Sequence, residues 1–454
     1  MSVPPDSSDP LDPPGDPNRS GPGTRPRDDA PARAQVSPRV AGAAIIAAVA
    51  LSMVVAWLQI RRPERPIEDP QAAWVELADA VRSAAARGRY AEAAKTAGKA
   101  LQLAEATYGP DHVCTAESLN ELAKLLVAQS RLDGVETMYD RALAILTRVY
   151  GHDSQEVANV LNNRGQLAEK RGRFALAEED FSRALAIARN VHGASHPLVA
   201  MEINNLACLA DSRGAHDEAA DLHRRALAMR EAIEGPAHRD TAESLANYGV
   251  NARRRGDLTA AERLQRRALA IRERVLGPDH ALTAASLNEL AQVLLDRKDA
   301  AAADPLAAAA LAIRQVAVGP NTAAFAASLE TVGRVRAAEG ERDAARRLFE
   351  QALAIRLETN GPAHPRTADA AVLLAGHLAT VEADQATAAA LLEKAVAIRS
   401  AVFGDAHPLT REALTGLVEA CRKCGRSDDA KAFAERLDTS GPAPAVTRAS
   451  GPAG

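Results

Sequence analysis

The chain has 454 residues, a net charge of −4 and 47% apolar residues, enough for a core, yet only 3% of its residues are aromatic. Without the first 60 residues the charge is −3, from 50 Lys and Arg against 53 Asp and Glu, so no global basic field exists to attract nucleic acid. Four cysteines in so long a chain exclude a disulfide-built scaffold.

Residues 1–39 hold ten prolines and no aromatic residue. Such a segment buries too little surface to offset its chain entropy and is expected to be disordered. Val40–Ile60 follows, 21 residues without a charge, bounded by Arg39 and by Arg61-Arg62, with Trp57 near one end. At about 1.5 Å per residue this length crosses a hydrocarbon core of about 30 Å, and the expectation is one transmembrane helix. Five arginines precede it and three follow it closely. Positive-inside counting then places the tail in the cytoplasm and the rest of the chain outside it. Residues 61–70 form a linker containing Pro63, Pro66 and Pro70. From residue 71 to 438 the pattern is helical throughout, and a Gly/Pro/Ala-rich tail at 439–454 is again expected to be disordered.

The helical part is periodic. Glycines opening equivalent loops fall at Gly109, Gly151, Gly193, Gly235, Gly277, Gly319, Gly361 and Gly404, six intervals of 42 residues and one of 43. A fixed period of this size marks a solenoid, whose units bury their apolar faces only against neighbours. Counting helix pairs gives about nine. An alanine column runs Ala100, Ala142, Ala184, Ala226, Ala268, Ala310, Ala352 and Ala395 in the second helices. A second small column, from Ala123 and Gly165 to Gly333 and Ala375, runs in the first helices. Both mark close backbone approach, and the two are expected to face each other within a pair.

The segments Leu161–Gly165 (L-N-N-R-G), Arg171–Glu178 (R-G-R-F-A-L-A-E), Arg183–Ile187 (R-A-L-A-I) and Leu276–His280 (L-G-P-D-H) resemble the tetratricopeptide repeat, specifically the 42-residue kind found in kinesin light chains. The resemblance covers residues 71–438. It implies an all-α, right-handed α-solenoid of helix-turn-helix repeats whose first helices line a concave groove for peptides. Val318–Ala323 departs from the pattern by lacking the loop histidine, and Leu373–His377 lacks the asparagines. Nothing resembles the coiled coil of the kinesin light chain, so its motor-cargo function does not carry over.

No chemistry competes with this reading. His112, His196, His238, His280, His364 and His407 share one loop column and lie at least one unit apart, so a hydrogen bond closing each loop explains them better than a metal. His216 and His223, near Asp217, Glu218 and Asp221, fall in the columns of Phe174 and Phe181 and read as ring-shaped core substitutes. Cys421 and Cys424 form a C-x-x-C with no second pair for a metal, and small apolar helix positions account for them better than redox chemistry. No phosphate loop, H-E-x-x-H, G-x-S-x-G or dinucleotide fingerprint occurs. A non-enzyme without cofactor or metal is expected.

The expected function is a membrane-tethered interaction scaffold binding peptide segments of partner proteins. The alternatives are an assembly protein whose solenoid self-associates and a regulatory subunit of an enzyme on another chain. For the groove, first helices carry Asn120, Asn162, Asn204, Ala246 and Asn288 in one column, with Asn163, Asn205 and Asn247 beside it. A carboxamide both donates and accepts, so a stack of them suits the backbone of an extended peptide. An amide ladder that merely ties neighbouring helices together is the structural alternative. Two turns on stand Arg253 and Arg254, in a window, 250–274, with eight arginines and three acids, which points to an acidic peptide.

Overall fold

The computed structural model describes residues 69–441 apart from 87–88, 130 and 381–383. The repeat loop sets where each helix ends and the next begins. Gly277 turns with φ of +92°, where a β-carbon is penalised, and its N–H bonds to Glu273 O to close the preceding helix. His280 then caps the following helix, its Nδ1 accepting from the Leu282 N–H at 3.1 Å, while the Thr283 hydroxyl donates back to Gly277 O at 2.8 Å. The other five histidines of this column make the same cap, and Ser154 and Thr322 make it through their hydroxyls. A cap of this kind satisfies an amide that the helix start leaves without a partner.

Eighteen α-helices and no strand are present among the described residues. They form nine pairs: α1 (Pro70–Ala86) with α2 (Tyr90–Tyr108), α3 (Val113–Ala128) with α4 (Val135–Tyr150), α5 (Gln155–Lys170) with α6 (Phe174–His192), and α7 (Pro197–Ser212) with α8 (His216–Ile233). Next come α9 (Arg239–Arg254) with α10 (Leu258–Leu276), α11 (Ala281–Asp296) with α12 (Ala300–Ala317), and α13 (Ala323–Ala338) with α14 (Arg342–Asn360). The last are α15 (Pro365–Leu378) with α16 (Gln385–Phe403) and α17 (Pro408–Lys423) with α18 (Ser427–Thr439). Most first helices of adjacent units touch one another, whereas no two second helices approach as closely. The array therefore curves with its first helices on the inner side.

The alanine column is buried along its whole length. The glycines of the first-helix column meet a different partner from the one expected. A β-carbon on Gly165 would lie 2.8 Å from the Phe181 ring, one on Gly249 would lie 2.7 Å from the Gln265 amide, and one on Gly333 would run into Phe349. Each of those side chains stands three residues before the alanine column, so the small column makes room for a large neighbour rather than for another methyl.

The curvature brings distant repeats together. Phe174 stacks on Phe403 with ring centroids 6.0 Å apart, and Gly214 packs against Pro408. The His407 Nε2–H donates to Ser212 O at 2.9 Å, across 195 residues of chain. Gly172 approaches the Val402 carbonyl so closely that no side chain fits there.

The expectation of a single-pass membrane protein is corrected. Among the described residues no helix is long and apolar enough to cross a membrane: a span needs about 20 apolar residues, and a helix such as Leu258–Leu276 is interrupted by Glu262, Arg263, Arg266, Arg267, Arg272, Glu273 and Arg274. Residues 40–60, on which the span and its orientation were placed, lie outside the described residues, as do 1–39, most of the 61–70 linker and 442–454.

Candidate binding groove

A cavity of about 360 Å³ opens on the first helices near the start of the array, lined by Trp74, Arg82, Glu117, Asn120, Leu146 and Glu156, among others. Trp74 is fixed there by a hydrogen bond from its indole N–H to Ser118 Oγ at 2.9 Å. Burial raises the Glu117 carboxyl, and the nearby Glu156 adds to the effect.

The asparagines continue along the same inner face. Asn163 Nδ2 donates to Asn120 Oδ1 at 2.9 Å, Asn205 Nδ2 to Asn162 Oδ1 at 2.6 Å, and Asn247 Nδ2 to Asn204 Oδ1 at 3.4 Å. Each rung joins one first helix to the next, so one donor and one acceptor per rung are committed within the protein. Asn288 is buried, and its Oδ1 has no donor.

Glu202 sits under this ladder and accepts from Asn205 Nδ2 at 3.2 Å. Burial pushes its carboxyl up to about 7. A raised carboxyl pKa means the folded chain holds a proton that the unfolded chain has released between about pH 4.5 and 7, so stability falls as pH rises through that window and levels off above it. Glu202→Gln is expected to abolish that slope and to stabilise the protein by about 3 kcal/mol at pH 8, at about 1.4 kcal/mol for each pKa unit between 4.5 and 7. Urea unfolding at pH 5 and pH 8 checks it, and a slope surviving in the variant counts against it.

The structure places the two arginines differently from each other. Arg253 pairs with Asp296 at 3.0 Å, and Asp296 also holds Arg334 at 2.7 Å. Arg254 is exposed and makes no ion pair among the described residues. The histidines of the preceding unit are ring substitutes with a polar partner: Asp211 accepts from His216 at 2.8 Å, His223 at 3.2 Å and Asn251 at 2.8 Å. Burial raises the Asp211 carboxyl, but these three hydrogen bonds outweigh it and hold the group well below the usual carboxylate range.

Sequence reading missed a second column. Arg230, Arg272, Arg314, Arg356 and Arg399, each following an A-L-A-I-type stretch, are all buried. The guanidinium groups of Arg272 and Arg314 reach the following first helix: Arg272 Nη1 donates to Leu282 O at 3.2 Å and Ser286 Oγ at 2.8 Å, and Arg314 Nη1 to Ala324 O at 2.8 Å and Ser328 Oγ at 2.9 Å, whereas Arg356 donates from Nε and Nη2 to Glu330, at 3.0 and 3.2 Å, on the first helix of its own unit. The signal was the recurrence of one charged residue inside an apolar run.

The family model of the tetratricopeptide repeat matches residues 73–148, 136–181, 156–232, 233–315 and 324–399. The chain belongs to the tetratricopeptide-repeat family. No curated protein matches it. Among solved structures it is similar to BtubC (BKLC) from P. vanneervenii, at 24% identity over 50% of this chain and 91% of that one, with a TM-score of 0.43. A putative kinesin light chain from Podosopora anserina, with nearly identical TPR-like repeats, shares 24% identity over 45% of this chain and 96% of that one, with a TM-score of 0.37. A Rap protein complexed with competence and sporulation factor matches over 82% of this chain and 98% of that one, at 13% identity and a TM-score of 0.53. That last likeness is one of fold and extends over most of the helical array.

Proposed function

We propose that this tetratricopeptide-repeat scaffold binds an extended segment of a partner protein along its first-helix face. The carrying observation is the open cavity beside Trp74 and Asn120, continuous with the asparagine column. A fixed indole and a row of amides offer an apolar anchor and backbone hydrogen bonds, the combination that holds an extended chain without reading most of its side chains. Arg254, without an ion pair among the described residues, and the neighbouring Arg253 favour acidic residues in that segment.

The test is affinity capture with the full chain, identification of the partner, and repetition with two variants. Asn162, Asn204 and Asn288 are replaced together by Ala, then Arg253 and Arg254. Both variants are expected to keep their helicity by circular dichroism and to lose the partner, with weaker salt dependence remaining in the arginine variant. Capture undiminished in both, or unfolding of the asparagine variant, assigns the ladder to structure instead. A second reading, self-association, is favoured by Val149, Val191 and Val275, exposed at equivalent ends of second helices. Sedimentation equilibrium separates the two, since a scaffold for other proteins keeps its mass on dilution and a self-assembling one does not.

A further inference from the structure

The curved array meets itself at a seam. Where Phe174 stacks on Phe403 and Gly172 abuts the Val402 carbonyl, the two walls leave a cavity of about 430 Å³. It is lined by Leu132, Lys170, Arg171, Arg173, His364 and Val402, among others, and shares no residue with the groove cavity beside Trp74. One wall is the turn that ends α5, K-R-G-R at 170–173. The other is the loop that caps α15, five units further on.

The turn gathers more positive charge than its surroundings neutralise. Glu136 accepts from Arg171 Nη1 at 2.8 Å and from Arg173 Nη1 at 2.7 Å, so one carboxylate serves two guanidinium groups. The Lys170 ammonium makes neither an ion pair nor a hydrogen bond among the described residues, and the adjoining Glu169 accepts instead from Ser212 Oγ at 2.6 Å. Turns at the same repeat position elsewhere, such as R-R-G-D at 254–257 and K-C-G-R at 423–426, carry two cations at most. Across the cavity, His364 Nδ1 accepts the Arg366 N–H at 3.0 Å, which leaves the ring proton on Nε2, where it can donate. Loss of water at the seam lowers the Lys170 ammonium, with Arg366 adding repulsion. Burial, then Lys170 and Arg366, bring His364 down to about 4. Like charges gathered at a contact cost free energy, and an anion between them removes that cost.

We propose that the seam is a binding site for a small polyphosphate-type anion, with Lys170 and Arg173 donating to its oxygens from one wall and His364 Nε2 from the other. Three cations less Glu136 leave two positive charges in excess, more than one carboxylate neutralises. A phosphate chain spreads several charges over many acceptor oxygens, which guanidinium and ammonium groups bind strongly. The cavity lies within the range of about 300–1,000 Å³ usual for small-molecule sites. Because its walls belong to the third and eighth units, one ligand held by both cross-links them and favours the curvature at which the array closes.

The probe is inorganic tripolyphosphate, titrated into the full chain by isothermal titration calorimetry. One saturable site is expected. K170Q/H364N is expected to weaken it at least about tenfold, the factor for losing one charge-assisted contact. Asparagine is itself a good N-cap, so α15 keeps its start in that variant. K99Q removes the same charge from an exposed lysine of α2 and is expected to leave the affinity unchanged. Amide hydrogen exchange of the parent chain supplies a measure that needs no variant: tripolyphosphate is expected to slow exchange around both 170–173 and 361–366. Absence of a saturable heat, equal affinity in K170Q/H364N and the parent, or slowing confined to one wall overturns the assignment. Weakening in K99Q as large as in K170Q/H364N overturns it too, since the anion is then held by charge at large.

Discussion

Phe181→Ala is expected to cost about 3–5 kcal/mol, the range for deleting a large buried aromatic side chain. Phe181 is fully buried among Ala168, Ala177 and Leu209, with Phe174, Leu176 and Leu206 at its margin. It also packs closely against Gly165, which has no side chain to swing into the space left behind. Collapse is therefore limited and the cavity persists. Gly165→Ala alone is expected to cost about 1–3 kcal/mol by overpacking against the ring. In the Phe181→Ala background its sign reverses, because the added methyl then enters empty space and alanine exceeds glycine in helix propensity by about 1 kcal/mol. Midpoints of urea unfolding for the two single variants and the double variant measure this. A Phe181→Ala cost under about 1 kcal/mol, or an unchanged Gly165→Ala cost in both backgrounds, refutes ring-on-glycine packing as the contact that holds this unit together.

The periodicity explains why so much of the fold is legible in the sequence. Capping, turning and close approach are local, and here they are written repeatedly, so Gly277, His280 and Ala268 each stand in a column that averages out accidents. The asparagine column was equally visible, but its hydrogen-bond partners were not: whether Asn163 turns to a ligand or to Asn120 is decided by the offset between neighbouring first helices, which no single helix encodes. The same holds for the arginines. Arg356 and Glu330 meet on different helices of one unit, and nothing in either helix alone identifies the other as its partner. The contact of His407 with Ser212 depends on curvature accumulated over several repeats, a quantity that a 42-residue period leaves open. The charge-free run at 40–60 has no repeat column to check it, since length and composition are its only signals, and it lies outside the described residues.

Glu330→Gln is expected to destabilise the protein by about 3 kcal/mol, at the lower end of the 3–5 kcal/mol for removing one partner of a buried ion pair. The amide keeps one acceptor for Arg356 but withdraws the charge, and Arg356 is only 7% exposed. Arg356 then stands as a buried cation without its carboxylate. A double replacement, Glu330→Leu with Arg356→Met, removes both charges and both desolvation costs, so it is expected to lie within about 1 kcal/mol of the parent. The comparison isolates the unpaired charge from the loss of packing, because the double variant changes more atoms yet costs less. Thermal unfolding by circular dichroism at low and high salt provides the measurement, with the single variant expected to melt well below the double. Equal loss in both variants means that the side chains matter here for their volume rather than for their charges. A large loss confined to Glu330→Gln measures what leaving a guanidinium unpaired in this column costs.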